Sequence, residues 1–194
     1  MTTIKGYAQL LSSMLGLQGD SAEHKMLFKI NQQIDKLNQL IVDMLDVTHI
    51  REGKMQFRPR LFDPSELAAE IVEELRPVHH THAIELRVSN APHVFTDPDK
   101  ISQVITNLIT NAIKYSPGRG AVIVSVAAAQ SSVVFSVRDF GIGITEEHRT
   151  KIFEQFYRVS EQQSLTYPGL GLGLYISAEI IGHAGGRIWM EPGQ

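Results

Sequence analysis

The chain has 194 residues, 43% of them hydrophobic and 20% charged, the balance of a folded globular protein. A formal net charge of −3 at pH 7 gives no basis for a broad nucleic-acid-binding face, and the absence of cysteine excludes disulfides and thiolate chemistry. No apolar run approaches the roughly 18 to 20 residues of a membrane-spanning helix, and no basic segment followed by an apolar one marks a secretory signal, so the chain is expected to be cytoplasmic and without membrane contact of its own.

From the N-terminus, apolar residues fall at Ile4, Tyr7, Leu11 and Met14, in alternating steps of three and four. Gly16 to Asp20 interrupts the pattern, and Asp20 with Glu23 can form a capping box for a second helix. The pattern resumes at Leu27, Ile30, Ile34, Leu37, Ile41 and Met44. Steps averaging about 3.5 residues form the seam of a left-handed coiled coil or helix bundle. A lone hairpin buries too little to stand by itself. Residues 1–53 therefore read as a dimerisation hairpin that pairs with a second copy in a four-helix bundle; a hairpin packed on its own C-terminal domain is the alternative.

After Arg51-Glu52-Gly53 the period changes, and residues 54–194 read as a second domain. Lys54 to Leu61 is expected to be a strand. Asp63-Pro64-Ser65-Glu66 opens a helix that runs toward Pro77. Ile84, Leu86 and Val88 alternate as in a half-buried strand, and Asp97-Pro98 opens a long helix with Ile101, Val104, Ile105, Leu108 and Ala112 on one face. Val122, Val124 and Val126, then Val133, Phe135 and Val137, alternate as the arms of a hairpin. Thr145 starts a short helix, Leu172 to Gly182 forms another, and Arg187 to Glu191 is expected as a last strand. Strands and helices without regular βαβ alternation indicate an α+β fold: a helical hairpin followed by an α/β sandwich with helices on one face of a mixed sheet.

Four segments carry residues suited to chemistry. In Asn107-Leu-Ile-Thr-Asn111-Ala-Ile-Lys114-Tyr115, the two amides and the ammonium share a helical face. Such a stripe can hold magnesium and phosphate oxygens, or form a solvated polar face. Asp139-Phe140-Gly141-Ile142-Gly143 follows a strand, where a carboxylate can accept a ligand hydrogen bond and glycines admit close approach. Its Asp-Phe-Gly letters do not belong to a eukaryotic-type protein kinase, because no Val-Ala-Ile-Lys strand or His-Arg-Asp loop precedes them. In the segment from Ile152 to Arg158, Phe153 and Phe156 are expected as core anchors, while the Arg158 guanidinium suits bidentate phosphate contact. Gly169-Leu170-Gly171-Leu172-Gly173-Leu174 opens a helix and can present backbone N–H groups to an anion. It follows no strand and contains no Gly-Lys-Ser/Thr, so neither a Rossmann turn nor a P-loop fits.

Together and in this order, the four segments resemble the N, G1, F and G2 boxes of sensor histidine kinases, whose ATP-binding sandwich is shared with the gyrase, mismatch-repair and heat-shock chaperone ATPases. The resemblance extends from Ile4-Lys5-Gly6-Tyr7 to Gly185-Gly186-Arg187-Ile188-Trp189. It implies that Asn111 ligates magnesium, with Asn107 supporting it, that Lys114 contacts phosphate and that Tyr115 lies against the adenine or ribose. It implies that Asp139 accepts the adenine amino proton, that Gly141 and Gly143 give the nucleotide room, and that Tyr157 to Pro168 form a lid bringing Arg158 to the phosphates. Gly169, Gly171 and Gly173 close the lid over the triphosphate. The implied cofactors are ATP and magnesium, and the implied partners are a second copy of the chain and the receiver domain of a response regulator, whose aspartate takes the phosphoryl group from a histidine. The parent of such a core is in some cases membrane-anchored.

Several features depart from the family's pattern. Phe140 stands where Asn is common, and Leu170 where a small hydroxyl residue is frequent. The acceptor histidine of the family lies in a His-Glu-Leu-Arg-x-Pro segment, and none of His24, His49, His79, His80, His82, His93, His148 and His183 is followed by one. The acceptor is therefore expected to be absent, and the chain as given is not expected to phosphorylate itself. Members also continue past Glu191 with a Gly-x-Gly-Ser/Thr-x-Phe strand, so a final edge strand is expected to be missing. His79, His80 and His82 read as a solvated loop, not a metal cluster, and His148 and His183 as structural. A non-catalytic module that dimerises with related kinases is the competing reading. A gyrase-like ATPase is disfavoured by the heptad seam and the segment from Phe153 to Arg158.

Overall fold

The computed structural model describes residues 6, 22–118, 120–159 and 169–192. The chain divides into two compact units, Met1–Glu52 and Gly53–Gln194. In the first, helix α1 spans Ala22–Arg51, with the Arg51 cation in its last turn, where it complements the helix dipole. The Thr48 hydroxyl donates to the Met44 carbonyl at 2.9 Å, and the Glu52 N–H donates to the Thr48 carbonyl at 3.0 Å, closing the final turn. Along the expected seam, Leu27 and Ile34 are half-buried, whereas Ile30, Leu37, Ile41 and Met44 are 43 to 57% exposed. The expected first helix at Ile4 to Met14, and the turn and cap from Gly16 to Glu23, lie outside the described residues or side chains.

The second unit begins with β1 (Arg60–Phe62), which pairs antiparallel with β3 (Val94–Thr96) so that Leu61 faces Phe95. The strand is shorter than the expected stretch from Lys54 to Leu61. Pro59 has no N–H to give to a ladder, and the Arg58 N–H donates at 2.7 Å to Asp97 Oδ2 instead. The approach to β1 is thus tied to a side chain, not to a strand.

Helix α2 (Pro64–Leu75) starts as its sequence requires. The Asp63 carboxylate accepts from the N–H groups of Ser65 (2.7 Å) and Glu66 (3.4 Å), and Pro64 occupies the first turn, where its missing N–H costs nothing. β2 (Ala83–Val88) follows, and then α3 (Pro98–Tyr115) opens in the same way, with Asp97 accepting from Asp99 and Lys100. β4 (Ala121–Ala129) and β5 (Ser132–Arg138) form the expected hairpin. The sheet order is β2-β4-β5, with β2 parallel and β5 antiparallel to β4, hence a mixed sheet.

One face of this sheet supplies Ile84, Val122 and Val124, and α2 and α3 cover it with Ile71, Val72, Ile105, Ile109, Ala112 and Ile113. The period of 2 in the strands and of about 3.6 in the helices points all of these side chains into one core. Each fully buried Val or Ile contributes roughly 1.5 to 3 kcal/mol of transfer free energy.

Beyond β5, two single 3-10 turns, Glu146–His148 and Lys151–Phe153, stand where a short helix was expected at Thr145, whose side chain makes no cap bond. Helix α4 (Gly173–His183) packs on α3 and buries Ile176 and Ile180. The stretch from Arg187 to Glu191, expected as a strand, joins no sheet among the described residues. Its alternating side chains satisfy one another: the Arg187 guanidinium lies 4.8 Å from the Trp189 ring centre, and the Trp189 indole N–H donates to Glu191 at 2.9 Å.

Candidate nucleotide site

The polar stripe of α3 is organised by a relay of hydrogen bonds into α4. Asn111 Nδ2 donates to Asn107 Oδ1 at 3.2 Å, Asn107 Nδ2 donates to Ser177 Oγ at 2.9 Å, and the Ser177 hydroxyl donates to the Gly173 carbonyl at 2.9 Å. The relay fixes which end of each amide points where. Asn107 uses its oxygen and one of its two N–H groups inside the protein, so it orients Asn111 and joins the helices. The Asn111 carbonyl oxygen stays outside the relay. Gly173 sits where it does because a Cβ there would overlap the Asn107 amide.

The loop after β5 closes on the C-terminal end of α3. The Ile142 N–H donates to the Tyr115 carbonyl at 3.1 Å, and a Cβ on Gly141 would collide with that carbonyl, so only glycine fits. The Gly141 N–H in turn donates to Asp139 Oδ1 at 2.8 Å. This turn holds the exposed Asp139 carboxylate in place and uses one of its two oxygens. Gly143, at φ +70°, completes the loop.

The glycine segment before α4 meets the same helix. Lys114 Nζ lies 3.4 Å from the position of a Cβ on Gly169, and 4.9 Å from the centre of its neighbour Tyr115. Gly171, at φ +71°, carries a second constraint: a Cβ there would stand 2.6 Å from the Tyr157 carbonyl and 3.2 Å from Arg158 Cγ. The Leu172 side chain makes no cap bond at the start of α4, so the first N–H groups of that helix are not consumed by one.

Two expectations are corrected. Phe156 is not a core anchor: it is 54% exposed and has φ +63°, a conformation uncommon for a residue with a Cβ. Its backbone does the anchoring, through a 3.2 Å bond from the Phe156 N–H to the Gly171 carbonyl, while Phe153 is half-buried. His82 is not solvated either. It is buried, with Nε2 2.8 Å from the Ser116 carbonyl and Nδ1 3.0 Å from the Thr81 hydroxyl.

Of the remaining histidines, His183 stacks on Phe57 at 3.7 Å, and His148 lies 2.6 Å from the Tyr157 hydroxyl, both in structural contacts. Of the expected lid, only Tyr157 to Val159 fall among the described residues. Sequence reasoning missed Ser177, His82 and Ser116, whose signals are single hydroxyl or imidazole residues beside motifs.

Among the described residues, no group of three or more His, Cys, Asp or Glu side chains could hold a metal ion. Magnesium keeps several waters and shares phosphate oxygens, so a single protein oxygen such as that of Asn111 could serve it.

The loop of Asp139 and the glycine segment before α4 thus both meet the polar stripe of α3 in a layered α/β fold, the arrangement of a nucleotide-binding ATPase domain. The profile of the histidine kinase-, DNA gyrase B- and HSP90-like ATPases matches residues 96–194, and the chain belongs to that family. It is similar to the sensor histidine kinase WalK of Bacillus subtilis (strain 168), at 30% identity over 98% of the chain and 32% of that protein. The chain thus spans about a third of that relative's length. Among solved structures it resembles full-length ShkA in complex with AMPPNP, with a TM-score of 0.74 and 26% identity over 97% of this chain and 40% of that one. It shares its fold with histidine kinase ThkA in complex with the response regulator protein TrrA, with a TM-score of 0.68 and 23% identity over 100% of this chain and 54% of that one. Among the described residues, no helix is long and apolar enough to cross a membrane.

Proposed function

We propose that the chain is the ATP-binding core of a two-component sensor histidine kinase, serving transfer of the ATP γ-phosphate to a histidine and then to a response regulator aspartate. The observation that carries this reading is the convergence of two distant motifs on α3: the loop after β5, with Gly141 against the Tyr115 carbonyl, and the glycine segment before α4, with Gly169 beside Lys114 and Gly173 against Asn107. In this site the second oxygen of Asp139 accepts the adenine amino proton, and Gly141 and Gly143 leave room for the base beside Tyr115. Lys114, Arg158 and the turn from Gly169 through Gly171 to Gly173 neutralise the triphosphate. Asn111, oriented by Asn107, would hold magnesium, which supplies charge neutralisation at the phosphates when bound. Phosphoryl transfer asks mainly for positioning and charge neutralisation.

The seam of α1 supports a homodimer, since Ile30, Leu37, Ile41 and Met44 present apolar surface along one stripe. The proposed domains are residues 1–53 for dimerisation and 54–194 for catalysis, on the cytoplasmic side, where ATP is available.

Calorimetry with a non-hydrolysable ATP analogue and magnesium tests the site. Asp139→Asn is expected to weaken binding by roughly 1.5 to 3 kcal/mol, the value of a charge-assisted bond; equal affinity in the two proteins removes Asp139 from this role. Transfer is tested by mixing the chain with an acceptor-bearing kinase core whose counterpart of Asn111 is replaced by Ala. Acid-labile label is expected on the acceptor-bearing chain alone, and label on this chain would show that one of its own histidines serves.

A further inference from the structure

We propose that His82 is a positioning residue for the base-binding end of the nucleotide site, a role that rests on the nucleotide reading above. Two consecutive carbonyls end α3, and each is held by a different part of the chain. The Tyr115 carbonyl receives the Ile142 N–H of the loop that carries Asp139. The next carbonyl, that of Ser116, lies 2.8 Å from His82 Nε2.

A carbonyl can only accept, so Nε2 carries the proton, and Nδ1 is then free to accept the Thr81 hydroxyl at 3.0 Å. The Ser116 hydroxyl donates to the Ala112 carbonyl and sits 3.2 Å from the same Nε2. His82 and Ser116 are both buried, at 8% and 0% exposure, so water does not substitute for these bonds. His82 immediately precedes β2, whose first N–H, that of Ala83, pairs with the Gly120 carbonyl at the entry to β4.

The imidazole therefore ties the end of α3 to the sheet edge. It fixes where Tyr115 stands, and through the Tyr115 carbonyl it fixes where Gly141 and the Asp139 turn stand. It touches no part of the triphosphate segment, which meets α3 at Lys114 and Asn107. Lys114 precedes Tyr115, but the other phosphate-side contact, Asn107, lies two turns away, so loosening His82 should disturb base recognition more than phosphate binding.

The test compares His82→Asn, whose amide is too short to reach the Ser116 carbonyl, with His82→Gln, whose amide nitrogen reaches about as far as Nε2. Affinities for ATP and GTP, each with magnesium, are read by competition against a fluorescent ATP analogue on the folded chain. His82→Asn is expected to lower ATP affinity about tenfold, the loss of roughly one buried hydrogen bond, with GTP affinity changed far less. His82→Gln is expected to restore the ATP preference. Thr81→Ala, at an exposed position that folding tolerates, should lower the same preference about two- to threefold by releasing the ring; this variant decides the matter if His82→Asn does not fold. Equal losses for ATP and GTP would mean general loosening and overturn the role, as would an unchanged preference in the Asn and Ala variants. A wild-type chain that binds neither nucleotide overturns the nucleotide reading itself, and this inference with it.

Discussion

Helices α1 and α3 are both amphipathic, yet they meet opposite fates. On α3, Ile105 and Ile109 are 2 and 0% exposed, because the sheet and α2 of the same unit cover them. On α1, Ile30, Leu37, Ile41 and Met44 stay between 43 and 57% exposed. An apolar stripe specifies that a helix will bury a face, but it does not say against what. The period offers a clue: the stripe of α3 follows about 3.6 residues per turn and fits a sheet, whereas that of α1 keeps to about 3.5 and fits another helix. Ile30, Leu37, Ile41 and Met44 share one helical stripe, with Val42 and Leu45 exposed beside it, and grouped exposed apolar side chains are the usual mark of an interface.

The sharpest way to break this contrast is to charge the α1 seam. Ile34→Glu with Leu37→Glu is expected to abolish the proposed dimer, since burying two unpaired carboxylates costs several kcal/mol. Light scattering should show a dimer becoming a monomer, while nucleotide binding by the second unit persists; a wild-type monomer would refute the dimer. Next in size are two matched truncations. Ile109→Ala empties a fully buried site and should cost about 2 to 5 kcal/mol of stability, seen as a lower urea midpoint. Ile41→Ala removes the same atoms from an exposed position and should change the stability of the isolated chain by no more than about 0.5 kcal/mol. Equal losses at the two positions would erase the distinction between the helices.

The elements that sequence made legible are those whose partners are local or periodic. Asp63-Pro64 and Asp97-Pro98 predict helix starts because the cap, the proline and the N–H groups they satisfy lie within three residues. The alternation of Val122 to Val126 and Val133 to Val137 shows a hairpin because both arms bury one face. What stayed hidden depends on partners far along the chain. The bond that cuts β1 short joins residues 39 apart, the relay from Asn107 to Ser177 spans 70, and His82 finds a backbone carbonyl 34 residues on. A backbone carbonyl has no sequence signature, so nothing in Thr81-His82 itself distinguishes a buried latch from a solvated loop. Phe156 shows the converse, an apolar side chain whose backbone is what the fold uses. The candidate site was legible as four motifs, and the residues that hold them in register were not.

The smallest expected effect concerns pH, and it has opposite signs in the two units. Burial pushes the Asp97 carboxyl up, but the backbone N–H groups of Arg58, Lys100 and Asp99, with the Lys100 charge, outweigh it and hold the group below the ordinary carboxylate range. A carboxyl whose folded pKa is lowered contributes stability that is present above its unfolded value, near 3.9, and is lost as pH falls through the folded one. On α1, burial raises Asp43, against a bond from Gln39 and with help from Asp46. Its contribution is therefore present below the unfolded value and is lost as pH rises through the folded one. Acid should thus weaken the second unit while relaxing a cost in α1. The single tryptophan, Trp189, belongs to the second unit, so its fluorescence follows that unit alone. Asp97→Asn keeps a capping oxygen but removes the charge, and should cost about 1 kcal/mol at neutral pH. It should also flatten the fall of the urea midpoint below about pH 4, because no proton is then taken up at this position on unfolding. Parallel acid slopes for wild type and Asp97→Asn would show that other carboxyls govern the acid limit, and that the cap joining Arg58 to α3 is held by geometry and not by charge.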